Sequence, residues 1–420
     1  MHQLQNIFKK NLFFLILIVI FIPAISTADD KIISTQLKKQ TAYEIPVKWK
    51  SLLQSLINTN SGTDNPEGLN TIRRILIPEF EKLGFQVKTI DTGNKHKLLV
   101  IDFPNSIPQL LLIGHIDTVF PKDIKENTMQ EIGNKITGPG VIDMKGGIVL
   151  MLHALSDIKN QSDLSKIRIL INDDEEIGSP FSKSYMKHYA DNIPFALVFE
   201  PGTPHGDVVI GESGLQWIEI RVHGQSSHAG FAPQDGINAC VELAHKLIPI
   251  SALTDYSKGL SVNVGVIQGG IKPNVVCDQA FAKIDIRFKN ENDLKNVLDH
   301  ISNIGKNSWI WNARLNRGTT YEMKKLVYIQ SHSPKASELI FKRAQSVGNE
   351  IGLSIKGTEV GYVSDANPLS SLPHLKILVG LGPYGGGMHT ENEFLELKSY
   401  QDRLLLNISL IKNLVHKLEK

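Results

Sequence analysis

Five residues widely separated along the 420-residue chain are of types that ligate a divalent cation: His115, Asp143, Glu176, Glu200 and His389. Four of them follow apolar runs that stop abruptly. Leu110 to Ile113 leads into Gly114-His115-Ile116-Asp117, and Ile167 to Ile171 into Asn172-Asp173-Asp174-Glu175-Glu176. Leu197 to Phe199 leads into Glu200-Pro201-Gly202, and Ile377 to Leu381 into Gly385-Gly386-Gly387-Met388-His389. Asp143 lies in the glycine-rich loop Gly138 to Gly147. A catalytic metal takes three protein ligands and keeps one open position, so two metals sharing a water need six ligand places, or five residues if one carboxylate bridges. Five are present. Two imidazoles and three carboxylates without a thiolate suit two Zn2+ per subunit, and Co2+ or Mn2+ also match these ligand types. Asp117, two positions after His115, is placed to accept the other ring N–H and fix the tautomer. Glu175, kept beside the metals by Glu176 without binding them, can take a proton from an activated water and return it to a leaving amine. That chemistry is amide hydrolysis.

Each residue taken singly has a plainer use. Either histidine serves as a core or surface residue, Asp173 to Glu176 as a solvated helix start, and Asp143 as a turn residue. What points to a site is that these residues follow strand ends together, where ligands gather in open α/β sheets.

The elements that would position them alternate. Strand-like runs recur at Leu98 to Phe103, Leu110 to Ile113, Ile167 to Ile171, Phe195 to Phe199 and Ile377 to Val379. Helical spacing appears at Trp49 to Ile57, from Asn65-Pro66 to Gly84, and over Gly147 to Ile158, Ser182 to Ala190, Ala336 to Ile351 and Leu397 to Leu418. This predicts an α/β catalytic domain with a mixed sheet covered by helices on both faces. From Gly214 the texture changes: strands at Leu215 to Val222, Leu260 to Ile267, Val275 to Phe288 and Ser308 to Leu315 enclose helices at Ile237 to Leu247 and Leu294 to Ile304. The order βαββαβ is that of a ferredoxin-like α+β domain. The expected organisation is therefore a catalytic domain in two parts, 29–212 and 324–420, with an inserted lid at 213–323.

Composition narrows the function. With 45 Lys plus Arg against 43 Asp plus Glu, there is no basic excess for nucleic acid and no acidic tail. Residues 1–28 read as a signal peptide: Lys9 and Lys10, the apolar run Leu12 to Ile22, Pro23, then Ala24, Ser26 and Ala28. Eleven apolar residues are short of the ~20 that span a bilayer, so a stable membrane span after cleavage is not expected and the destination is periplasmic or secreted. An oxidising compartment permits one disulfide between Cys240 and Cys277, but their apolar surroundings favour two small buried thiols.

Taken together, His115-x-Asp117, the Asp143 loop, Asp174-Glu175-Glu176-x-Gly178, Glu200-Pro201 and the late His389 resemble the co-catalytic zinc aminoacylase and carboxypeptidase family, which includes acetylornithine deacetylase and succinyl-diaminopimelate desuccinylase. Glu200-Pro201 is most similar to the glutamate carboxypeptidase branch. The resemblance implies that Asp143 bridges two zincs, with His115 and Glu200 on one and Glu176 and His389 on the other. It further implies that Glu175 is the general base, that the peptide bond after Asp143 is cis, and that the protein dimerises through the lid. Gly224 to Gly230 resembles the segment whose histidine, here His228, reaches a partner subunit's active site. Gly269-Gly270-x-x-Pro273-Asn274 with Asp285-Ile286-Arg287 resembles the clamp on the substrate carboxylate, and Gly361-x-x-Ser364-Asp365 a pocket element. Without the resemblance, His228 reads as a loop histidine, Arg287 as the ion-pair partner of Asp285 or Glu219, and Ser364 as a helix cap. One departure stands out: the glutamate-specific branch has a second arginine, a place that neither Arg314 nor Arg317 takes. The expected substrate is an N-acyl amino acid or small peptide, cleaved as a carboxypeptidase, aminoacylase or dipeptidase would. A non-catalytic metal-dependent binding protein and a dinuclear phosphoesterase are the competing classes.

Overall fold

A computed structural model describes residues 43–124 and 128–416. The signal-peptide reading of residues 1–28 lies outside the described residues. A six-stranded mixed sheet runs in the order Gln86–Gly93, His96–Asp102, Ile167–Asn172, Leu110–His115, Phe195–Val198, Lys376–Leu378. The last four strands are parallel, and the first two are antiparallel additions at one edge.

Successive side chains on a strand face opposite sides, so a sheet covered on both faces needs uninterrupted apolar runs. Leu99, Ile101, Leu110, Leu112 and Ile169 belong to the core that includes helices Val47–Ile57, Pro66–Glu81, Gly146–Asp157 and Leu397–His416. Their neighbours Leu98, Val100, Leu111, Ile113 and Leu170 join Met186, Ala190, Ala366 and Leu369 in the core of the other face. With these runs committed to packing, the first polar residue after each parallel strand emerges at the sheet's carboxyl edge.

A separate antiparallel sheet has the order Ser261–Gly269, Gln279–Phe288, Gly214–His223, Thr320–Ile329. Ile218, Ile220, Val222, Ile284 and Ile286 pack under helices Ala239–Ser251 and Glu291–Lys306 in their own core. The alternate residues Trp217, Glu219, Arg221, Asp285 and Arg287 therefore lie on the open face. The βαββαβ order holds, but its last strand is displaced. Ser308 to Leu315 does not form it: this segment makes a short hairpin pairing Trp311 and Asn312 with Gly318 and Arg317, and Trp309 and Trp311 remain 59% exposed. The fourth strand is Thr320–Ile329, which continues past Met323.

Cys240 and Cys277 form a disulfide, correcting the expectation of separate thiols. The Ala239 amide donates to the Cys277 carbonyl at 2.7 Å, which brings the helix start beside the loop. The resulting Cα–Cα distance of 5.7 Å is in the ordinary range for a bridge.

Candidate active site

At the carboxyl edge of the large sheet, two groups of ligand-type side chains share one member. His115, Asp143 and Glu200 form one, and Asp143, Glu176 and His389 the other; within each group the ligand atoms lie within 4.8 Å of one another. His115 Nε2 is 3.2 Å from Asp143 Oδ1 and 3.4 Å from Glu200 Oε1. His389 Nε2 is 3.0 Å from Asp143 Oδ2 and 3.4 Å from Glu176 Oε2. The two oxygens of Asp143 thus face different groups, as a bridging carboxylate requires. Glu175 Oε2 lies 3.9 Å from His115 Nε2 and belongs to neither group. Glu176 Oε1 is buried without a hydrogen-bond partner among the described residues. An orphaned carboxylate oxygen facing shared imidazole and carboxylate donors fits a cation site.

The supporting contacts explain how loops hold these atoms. His115 Nδ1 donates to the Asp117 carbonyl at 3.1 Å, which leaves the Nε2 lone pair facing Asp143 and Glu200. The Asp117 carboxylate does a second job, accepting the Glu175 and Glu176 amides at 3.2 and 3.1 Å and the Thr63 hydroxyl at 2.9 Å. It ties the His115 strand end to the Glu175-Glu176 turn. The Asp143–Met144 peptide is cis, and the chain passes directly into helix Gly146–Asp157. Gly147 permits that helix to approach the Glu200 strand, since a Cβ there would sit 2.1 Å from the Phe199 carbonyl oxygen. His389 itself has a left-handed backbone, φ 62°.

Sequence reasoning missed Glu393. Its carboxylate accepts the amides of Gly140, Ile142 and Asp143 at 3.0, 2.8 and 3.1 Å. The small sheet that pairs Phe394–Glu396 with Lys135–Thr137 delivers it there. Nothing in Glu391-Asn392-Glu393 distinguishes this residue from a solvated turn.

Burial disfavours every charge in this cluster, and the neighbours decide which side yields. For Asp143, hydrogen bonds from His115 and His389 outweigh burial and hold the carboxyl below its usual range. Burial pushes Glu175 well up, with Glu200, Asp365 and Glu176 adding to it against His115. Burial also raises Glu200, and it takes Glu176 to about 7 although His389 opposes it. Hydrogen bonding to Asp143 and then to Glu176 lifts His389 to about 10. Carboxylates outnumber imidazoles, so the cluster attracts positive charge.

The remaining predicted residues fall in two places. His228 and Asn274 are exposed on adjoining loops of the small domain, linked by the Ala229 amide donating to the Asn274 carbonyl at 3.0 Å. The Gly230 and Phe231 amides donate to His228 Nδ1 at 3.2 and 3.0 Å. Arg287 lies at the opposite end of the sheet, in register with Leu215 beside the crossing into the large domain. Eight residue steps along the strand from Gln279 to Arg287 span roughly 27 Å, so one chain's Asn274 and Arg287 do not meet on a single carboxylate. Arg287 is engaged by Asp285, Nε to Oδ1 at 3.0 Å and Nη2 to Oδ2 at 3.2 Å. Arg314 pairs with Asp235, and Arg317 donates to Gln225, both near the His228 loop.

Ser364 is buried, and its hydroxyl lies 2.9 Å from both carboxylate oxygens of Glu212. Asn367, three residues on, donates to the carbonyls of Ser213 and Gln330 at 3.0 and 2.8 Å. It thereby grips both segments that cross between the two domains. Asp365, between them, accepts from Asn172 and Ser179 under the Glu175-Glu176 turn.

Comparisons with known proteins find relatives along most of the chain. Residues 210–309 match the model of the M20 peptidase dimerisation domain. The chain is 28% identical over 386 residues to carboxypeptidase G2 of Pseudomonas sp. (strain RS-16), covering 86% of this chain and 88% of that one. It is 30% identical over 253 residues to acetylornithine deacetylase of Proteus mirabilis, covering 56% of this chain and 63% of that one. Its fold matches the M20 family metallo-carboxypeptidase Sso-CP2 of Sulfolobus solfataricus with a TM-score of 0.65 and 16% identity, covering 88% of this chain and all of that one (100%).

Proposed function

We propose that this chain, a hydrolase homologous to the M20 peptidases, cleaves an amide bond next to a free carboxylate, as a carboxypeptidase acting on a peptide or N-acyl amino acid. The observation that carries the reading is Asp143, shared by two three-residue ligand groups with Glu175 beside them and in neither. His115, Glu200 and Asp143 would hold one cation, and Glu176, His389 and Asp143 a second. Zinc is the natural occupant, with cobalt or manganese also compatible. When bound, such cations polarise a substrate carbonyl and make water acidic enough to yield a nucleophile near neutral pH.

The chain's own groups do the rest. Glu175 takes the proton of the attacking water and delivers it to the leaving amine nitrogen. Asp117 keeps that carboxylate and Glu176 in register through their backbone amides. Asp117 also keeps the Nε2 lone pair of His115 directed at the site. His228 lies at the lid end remote from the domain crossings, so its service as an oxyanion donor is to a second copy's site, where Asn274 would accompany it. Arg287 of the same chain as the metals would take the substrate carboxylate once released from Asp285. The peptidase dimerisation domain at 210–309 supports a homodimer built through the lid. The disulfide supports an oxidising compartment, and with the sequence pattern of residues 1–28 it favours a periplasmic or secreted enzyme.

The test is a panel of dipeptides, N-acyl amino acids, folate-like glutamyl conjugates and phosphate monoesters, assayed with metal-loaded and chelated protein. Amine release that depends on metal is expected. Release of phosphate alone, or binding without turnover, would replace this reading with the phosphoesterase or the binding protein.

A further inference from the structure

Beside Glu175 the site opens into a cavity of about 140 Å³. Helix Lys183–Ala190 contributes Lys183 and Lys187 to its wall, the segment Tyr328–Gln330 leading out of the lid contributes another side, and Val363, Ser364 and Pro368 line the remainder. Lys183 and Lys187, four residues apart, share one face of the helix. Neither has an ion-pair partner among the described residues, whereas lysines such as Lys48, Lys50, Lys82, Lys122, Lys246 and Lys289 do.

The placement of Lys183 is informative. It is the first residue of its helix, where the dipole disfavours a cation by about 0.3 to 1 kcal/mol. The helix's own leading amides at Phe181 and Ser182 are already taken by Asp174. Lys183 therefore gains nothing from its own helix and is free to meet a group in the cavity. Lys187, in the last turn, suits the dipole by itself but reaches the same cavity. The acids near it are Glu175, which lines the cavity, Glu212, whose carboxylate is already engaged by the lining Ser364, and Glu291 of the lid, beside Tyr328. Ile329 stands in register with Leu215, and Leu215 with Arg287, so the cavity and Arg287 border the same open face of the lid two strands apart, roughly 10 Å.

We infer that this cavity is an anion subsite in which Lys183 and Lys187 receive a second carboxylate of the substrate, distinct from the one next to the scissile bond. The inference rests on the amidohydrolase reading above and makes the preferred substrate a dicarboxylic one. That carboxylate comes either from the side chain on the amine side or from a dicarboxylic acyl group. The apolar contacts of Ile329, Val363 and Pro368 suit the methylenes that carry it.

Two substrate pairs separate the sources: N-benzoyl-glutamate against N-benzoyl-glutamine, and N-succinyl-leucine against N-succinamoyl-leucine. The metal-loaded enzyme should prefer the acidic member of one pair by at least about tenfold in kcat/KM. Lys183→Gln/Lys187→Gln should collapse that preference toward one by losing about 10- to 100-fold on the acidic member, and Lys183→Arg/Lys187→Arg should retain it. Calorimetric titration with glutarate and with butyrate supplies a readout independent of turnover: glutarate should bind the wild type more tightly, and the glutamine double variant should lose the difference. An unchanged preference in that variant, or no discrimination between glutarate and butyrate, overturns the subsite. Failure of the metal-loaded wild type to cleave any of the four amides, or any dipeptide or glutamyl conjugate of the panel above, overturns the parent reading instead, and the titration still decides the subsite.

Discussion

Glu393 holds Asp143 by the backbone: one carboxylate oxygen accepts the Asp143 and Ile142 amides, while the other accepts that of Gly140. The shared ligand is thus aimed by a residue that belongs to neither ligand group. Glu393→Gln keeps the shape but points an N–H at one of those donors. Affinity for the first-row cation should fall about 10- to 100-fold, as when other outer partners of metal ligands are removed. Competition with a chromophoric chelator measures it. Affinity equal to wild type would mean that the loop holds its own conformation.

Glu175→Gln should lower turnover by at least about 100-fold while metal content is retained, because the amide cannot accept the water's proton. His228→Ala should lower kcat more than it raises KM if that histidine acts on the transition state. Co-expression of the two variants is the sharper measurement. A mixed dimer contains one intact catalytic domain facing an intact His228, so activity should reappear at one site per heterodimer. If His228 serves its own chain, the mixture stays inactive.

The Cys240–Cys277 bridge, with a sequence separation of 37, closes a segment that contains Asn274, and the Ala229 amide ties the preceding His228 loop to it through the Asn274 carbonyl at 3.0 Å. Replacing both cysteines by serine should destabilise the chain by about 2 to 4 kcal/mol. Urea unfolding with and without reductant gives the difference, and limited proteolysis should nick the 224–238 loop first. Equal stability in both states would make the bridge dispensable.

His332 gives a pH dependence. Burial takes its imidazole down to about 4 from the ordinary 6.5, and its ring nitrogens contact Ser370 and Ser337 at 2.7 and 2.8 Å. The fold therefore holds it neutral while the unfolded chain takes up a proton below about 6.5. Its contribution is complete above that pH and is lost as pH falls toward about 4. Buried acids such as Glu212, raised by burial, slope the other way, so the informative quantity is a difference. His332→Gln should flatten the fall in unfolding free energy between pH 6.5 and 4 by about one proton relative to wild type, measured by denaturant titration at each pH.

The metal-ligand candidates were legible because the sheet leaves so little choice. Leu110 to Ile113 and Ile167 to Ile171 are committed to two cores, so His115 and the acidic turn must emerge at the edge. Glu393 was illegible, because its role exists only when Phe394–Glu396 pairs with the distant Lys135–Thr137 and brings it to Asp143, 250 residues earlier. The last lid strand was misplaced for a related reason. Trp309, Trp311 and Ile310 look like strand material, while Thr320–Ile329 carries Glu322, Lys324 and Lys325 on a sheet edge open to solvent. The cysteines misled because apolar neighbours report burial but not which distant segment shares it. Arg287 was ambiguous from the start: a strand puts residues i and i+2 on one face, so Asp285 was always within its reach.

Ser364, Asp365 and Asn367 lie within four consecutive positions yet attend to three tasks: one meets Glu212 beside the pocket, one underlies the catalytic turn, and one fastens both domain crossings. The pocket wall and the anchorage of the lid are therefore written in the same short stretch of chain. An alteration made there to admit a new substrate would also disturb how both crossings are held, and natural variants that diverge in this stretch should differ in turnover even on a substrate that both accept.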